Sequence, residues 1–196
     1  MGESAQRPLR ADAERSVHAI LEAAERVLGE DPAAPMERVA EVAGVARATV
    51  HRRFTSRQAL VEALADNAVR RLSQAIDDGR PDTAPPLVAL HGITANVLRV
   101  KTTWSFALDR STAEGSGTAR AQEEIALRCL SLFTRARDAG ILDTAADLEW
   151  VRRVYYALIG ESLRGPDSDT DPDILAERIV RTLLHGFGPR PRASAP

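Results

Sequence analysis

Aromatic residues make up only 4% of this 196-residue chain, and it contains one cysteine, Cys129, and one lysine, Lys101. Strands draw on β-branched and aromatic side chains, so this scarcity argues against a β fold. A single cysteine closes no internal disulfide, and no Cys/His cluster has the spacing of a zinc site. There is no run of 18 apolar residues, so no helix is expected to span a bilayer. The first ten residues lack the apolar centre of a signal peptide, and a cytoplasmic location is expected. The net charge of −2 does not by itself point to a polyanionic partner, so any nucleic-acid binding must come from local charge.

Catalytic arrangements are missing as well. Glu123 and Glu124 are adjacent, so on a helix they diverge instead of converging on a substrate. No nucleophile stands near a His and a carboxylate at a recognisable spacing, and no Gly-rich phosphate loop occurs. Neither an enzyme activity nor a metal or cofactor is expected. His18, His91 and His185 are scattered and read as structural or solvated residues. Cys129, beside Leu127, Leu130 and Phe133, reads as a small buried hydrophobe.

The abundant residues are Ala (33) and Arg (25), both helix formers. Hydrophobic residues at 44% and charged residues at 28% are ordinary globular values, so the chain can bury a core. The expected fold class is all-α. Apolar stripes at helical spacing place helices over about 12–29, 36–43, 47–53, 57–78, 87–109, 118–138, 147–164 and 173–186. Breakers separate them: Gly29 with the linker 31–35, Gly44, Asp78-Gly79-Arg80-Pro81, Gly115-Ser116-Gly117, Ala139-Gly140, and Gly165-Pro166 with the loop 167–172. Thr55-Ser56 offers an N-cap to the fourth helix. Residues 1–10 and 188–196 show no periodicity. The Pro-rich break at 81–86 is the natural domain boundary.

One segment, 37–54, carries most of the information. Two helices of about two turns are joined at Gly44, where glycine takes the left-handed conformation without a Cβ penalty. Val39, Ala40 and Ala43 form the inner face of the first helix, and the small alanines let the second cross closely. Val45 fills the corner. Val50 and Phe54, four apart, form the inner face of the second helix, leaving Arg47, Ala48, Thr49, His51, Arg52 and Arg53 outward. This is the layout of a helix-turn-helix, whose second helix enters the major groove. Residues 1–58 hold nine Arg and nine acids, yet 47–58 holds four Arg and no acid. Such a concentrated cationic edge suits phosphate and base-edge contact. Arg57 lies in the first turn of the following helix, where backbone N–H groups also favour an anion.

With these residues in view, positions about 12–60 resemble the DNA-binding domain of the TetR (tetracycline-repressor) family. Val39-Ala40, Ala43-Gly44-Val45, Thr49-Val50, Phe54, Ser56-Arg57 and Ala59-Leu60 match its signature in order and spacing. Ala46 stands where the family commonly has Ser, and Pro35 where a capping Thr or Ser is usual. His51 replaces the usual Tyr and Arg53 the usual His, which alters the reading surface. The resemblance implies a bacterial transcriptional regulator, most often a repressor released by a small molecule. The implied architecture is an N-terminal three-helix DNA-binding domain over 10–58 with a linking helix 57–78. A helical effector-binding and dimerisation domain is implied over 87–188, although that stretch matches no signature itself. Implied partners are a pseudo-palindromic double-stranded DNA operator, a small effector and a second copy of the chain, with no membrane.

Expected DNA-binding residues are Arg47, Ala48, Thr49, His51, Arg52, Arg53 and Arg57. The stretch 96–108 mixes apolar walls with hydroxyls and an amide, as ligand pockets do, which makes Asn96, Val100, Thr103, Trp104 and Phe106 candidates, together with Phe133. A largely apolar effector is expected. For the dimer, Trp150, Val151, Val154, Tyr155, Leu158 and Ser162 give one broad stripe, and Ile179, Leu183 and Leu184 another. The alternatives are a helical protein-interaction module and a DNA binder that takes no ligand.

Overall fold

The structure is a computed structural model that describes residues 6–111, 118–164 and 170–189. Among the described residues every regular element is an α-helix. These are α1 (Gln6–Glu30), α2 (Met36–Val42), α3 (Arg47–Arg53), α4 (Arg57–Asp78), α5 (Pro86–Thr103), α6 (Ser105–Ser111), α7 (Ala119–Asp138), α8 (Leu148–Ser162) and α9 (Pro172–Phe187). The expected Gly115-Ser116-Gly117 and Gly165-Pro166 breaks, the first half of the 167–172 loop, and the ends 1–5 and 190–196 lie outside the described residues.

Two boundaries differ from the sequence expectation. Helix α1 begins at Gln6, well before residue 12. Pro8 falls in its first turn, where a backbone N–H has no helical partner to lose. The helix expected over 87–109 is two helices, broken at Trp104. The hydroxyls of Thr102 and Thr103 donate to the carbonyls of Leu98 and Arg99, at 2.9 and 3.0 Å. This back-bonding weakens a helix end. The new helix is then capped from a distance: Glu25 of α1 accepts from the N–H groups of Phe106 (2.8 Å) and Ala107 (3.0 Å). Helical periodicity continues through Trp104, so the stripe alone did not expose the break.

The chain divides into two compact units, Met1–Val69 with Trp104–Ala119, and Arg70–Thr103 with Arg120–Pro196. In the first, α1 packs on α2 and α6, and α2 on α3. Ile20, Leu28, Val39, Val50, Leu60 and Leu64 are its fully buried large side chains. In the second, α9 packs on α5 and α8. Its core is apolar except where Thr94 Oγ1 donates to the Leu90 carbonyl (2.6 Å) and pairs with the Tyr155 hydroxyl (2.8 Å). The Phe133 ring meets Tyr155 edge-on, with centroids 5.6 Å apart.

The turn after α4 divides its labour in a way sequence reasoning did not anticipate. Arg80, not Gly79, takes the left-handed conformation, at φ 51°. Gly79 is needed for closeness instead: a Cβ there would overlap Ile93 Cγ1 and lie 3.0 Å from the Ile93 backbone nitrogen. Gly79→Ala is expected to destabilise the second unit by about 1–3 kcal/mol, the usual range for overpacking against backbone. Denaturant unfolding followed by circular dichroism checks this.

Candidate nucleic-acid interface

The candidate reading head is assembled by backbone geometry at the corner between α2 and α3. Gly44 has φ 66°, and the N–H groups of Ala43, Gly44 and Val45 close onto the carbonyls of Val39, Glu41 and Ala40 at 2.9, 3.1 and 3.1 Å. These bonds satisfy the last carbonyls of α2 and turn the chain into α3. Neither Pro35 nor Ala46 contributes a side-chain cap, as their residue types dictate. Ser56 does cap α4, its hydroxyl accepting from Ala59 N–H at 3.0 Å. Val50 and Phe54 anchor α3 inward, while Val45 at the corner is half-buried.

Pinning those two side chains dictates what faces outward. Arg47, Ala48, His51, Arg52 and Arg53 are exposed and Thr49 is half-buried. Three of them, His51, Arg52 and Arg53, crowd the last turn of α3, where basic groups also suit the helix dipole. Arg57 is exposed too, but its guanidinium donates to the Pro32 carbonyl and so braces the α1–α2 linker against the start of α4. Sequence reasoning missed one participant. Glu37, in the first turn of α2, pairs with Arg47 and lies 3.9 Å from His51 Nε2. Counting charge only from 47 onward hid it. The signal was its outward position two residues before Val39, on a helix that must cross α3.

The other expected sites are distributed as follows. Asn96, Val100, Thr103 and Phe133 belong to the second unit, and Trp104 and Phe106 to the first. The Asn96 side chain is engaged, donating to the Ala75 carbonyl and accepting from Arg99, both at 3.1 Å. Val100 is half-buried and Thr103 exposed, while Trp104 is buried. Arg110 lies 5.9 Å over the Phe106 ring. Phe133 is wholly buried in the core of the second unit.

Of the two apolar stripes, Val151, Tyr155, Ile179 and Leu183 fill the chain's own core. Trp150 is 49% exposed, and Val154, Leu158, Ser162 and Leu184 are half-buried. Burial pushes the Cys129 thiol up to about 12 although Tyr156 and Arg152 pull it down, so it carries no thiolate at neutral pH. Among the described residues no three His, Cys, Asp or Glu side chains gather around a possible cation, and no helix is long and apolar enough to cross a membrane.

Comparison with known proteins places this geometry. Residues 20–64 match the model of bacterial regulatory proteins of the tetR family. Over 185 residues the chain is 26% identical to the HTH-type transcriptional repressor LfrR of Mycolicibacterium smegmatis, covering 91% of this chain and 94% of LfrR. The crystal structure of LfrR in complex with proflavine superposes with TM-score 0.66 at 26% identity, covering 90% of this chain and 99% of that one. A TetR regulatory protein from Mycobacterium vanbaalenii superposes at 0.64 with 25% identity, covering 93% and 100%. PfmR from Thermus thermophilus, at 16% identity, shares the fold at 0.72 over 88% of this chain and 99% of its own. The match covers both the motif and nearly the full length of these regulators, and the outward face of α3 carries the charge that DNA requires: residues 20–64 match the tetR-family DNA-binding segment, and the chain as a whole is similar to TetR-family transcriptional regulators.

Proposed function

We propose that the protein is a repressor that binds a pseudo-palindromic operator as a homodimer and leaves it when a small, largely apolar molecule binds. The observation that carries this reading is the exposed cationic face of α3, set by the burial of Val50 and Phe54. In this reading residues 10–58 contact DNA, and 87–188 bind effector and dimerise. One such head makes few base contacts, whereas two spaced about 34–36 Å apart read successive turns of the major groove. The half-buried Val154, Leu158, Ser162 and Leu184, with exposed Trp150, are the stripe residues left available to a second copy. For the effector, the candidates in the second unit are Asn96, Val100, Thr103 and Phe133, which combine apolar surface with an amide and a hydroxyl, the composition of small-molecule sites. LfrR is solved with proflavine, a flat aromatic amine, and we extend that class of molecule to this chain.

The test is fluorescence anisotropy with the duplex upstream of the protein's own gene, with and without proflavine and related flat amines. Release at micromolar ligand, with a melting temperature that rises with ligand concentration, is expected. A ligand that raises the melting temperature without weakening DNA binding would contradict induction, because it favours neither conformation.

Within the head, Arg52→Ala is expected to weaken binding to all sequences alike. It should also make the dependence of log affinity on log salt shallower by about 0.9 for the phosphate lost. Thr49→Ala or Arg53→Ala is instead expected to cost about 1–3 kcal/mol at one base pair. A changed base preference with an unchanged salt slope on Arg52→Ala would show that Arg52 reads bases.

A further inference from the structure

The acid missed by the local charge count is the feature of the reading head that its cationic chemistry does not explain. A carboxylate facing DNA repels phosphate, and an exposed ion pair stabilises a fold by little. Glu37 nevertheless joins the cationic face of α3. Its Oε1 pairs with the Arg47 guanidinium and lies 3.9 Å from His51 Nε2. Arg47 and His51 are four apart on α3, so they share one face of that helix. All three side chains remain open to solvent, at 39%, 68% and 46% for Glu37, Arg47 and His51. The other acid on α2, Glu41, is engaged by Arg38 of the same helix at 2.7 Å. Glu37 is therefore placed on the reading face.

We propose that Glu37 is a specificity-determining residue of the DNA interface, acting through its charge in two ways. Against an arbitrary sequence it offsets the positive charge of Arg47, which lowers attraction to phosphates and so suppresses non-specific binding. On the right sequence it acts as an acceptor-only group in the major groove, where the cytosine N4 amino group is the donor a carboxylate matches. Holding Arg47 also limits the rotamers of a long side chain, so its guanidinium is presented in one arrangement. The proposal rests on DNA reading by α2 and α3, and predicts that removing the charge increases affinity while degrading discrimination. A purely structural brace would do neither.

The experiment selects bound duplexes from a library with a randomised 30-base-pair core, using wild type and Glu37→Gln in parallel. One selected site and its scrambled version are then titrated across a salt series. Gln keeps the shape and one acceptor, and the position is exposed enough for folding to survive; a circular dichroism melt checks this, with Glu37→Asp as a second variant that keeps the charge. Wild type is expected to select a symmetric site in which each half contains a C·G pair that Glu37→Gln no longer distinguishes. Glu37→Gln is expected to bind the scrambled duplex about five- to tenfold more tightly at low salt, with a steeper salt slope, and to lose at least tenfold in its preference for the selected site. Glu37→Asp is expected to keep the low non-specific affinity. Equal preference and equal salt slope in wild type and Glu37→Gln would overturn the proposal and leave Glu37 a brace between α2 and α3. If wild type selects no site and shows no salt-dependent binding, the regulator reading fails and the proposal fails with it, a result distinct from the first.

Discussion

Leu183→Arg is expected to unfold the second unit rather than produce a folded monomer. Leu183 is 1% exposed and belongs to the core formed by α5, α7, α8 and α9. A guanidinium without a partner there carries a desolvation penalty of several kcal/mol, and the leucine's burial is lost as well. Together these approach the whole stability of a domain, about 5–15 kcal/mol. Trp150→Arg is the informative contrast. Trp150 is 49% exposed on α8, with Arg153 5.2 Å over its ring, so an arginine there reaches water without opening the core. It is expected to melt within a few degrees of wild type while shifting sedimentation toward a lighter species. Helical circular dichroism and sedimentation velocity separate the two variants. Leu183→Arg melting like wild type would contradict the burial of that side of α9. Unchanged sedimentation of Trp150→Arg would contradict the proposed use of this face of α8 by a second copy.

The second large effect is expected at Glu25. Glu25 is 6% exposed, and its carboxylate accepts from two N–H groups at the start of α6, one of them on fully buried Ala107. Glu25→Ala removes both acceptors and strands those donors in the first unit. The expected loss at neutral pH is about 2–4 kcal/mol, from an N-cap deletion plus buried unsatisfied groups. Glu25→Gln retains one acceptor and is expected to fall between the two.

Acidity gives a second reading of the same site. Burial pushes the Glu25 carboxyl above its ordinary value of 4.5, Asp109 adds to the rise, and the two backbone donors oppose it without winning. A folded-state pKa above the unfolded one means that the folded chain binds the proton more tightly. Its contribution is greatest below the unfolded value and is lost as pH rises through the folded value. Lowering the pH from neutrality toward 4.5 is therefore expected to raise the melting temperature of wild type relative to Glu25→Gln, which has no such proton to bind. A gap independent of pH would show that the hydrogen bonds balance burial, and one that widens as pH rises would show that they outweigh it.

These two residues mark the limit of what periodicity reveals. The corner at Gly44, the inward pair Val50 and Phe54, and the Ser56 cap were all legible, because each follows from local rules of turn, spacing and capping. Gly79 and Arg80 were legible as a break but not in their roles, since the demand for a missing Cβ comes from Ile93, fourteen residues on. The break at Trp104 was invisible for a similar reason: its cap is supplied by a side chain about eighty residues earlier in the chain.

By itself, then, the sequence determined the helical class, most helix boundaries, and which side chains of α3 face outward, because backbone hydrogen bonding and amphipathic spacing act within a few residues. Tertiary structure alone decided which apolar stripes are covered. A stripe at helical spacing says only that something must bury it, and Val151, Tyr155, Ile179 and Leu183 are buried by their own chain while Trp150 is not. It also decided which charges meet. Glu37 and Arg47 are ten positions apart and on different helices, and only the crossing of α2 over α3 brings a carboxylate onto the exposed cationic face of α3.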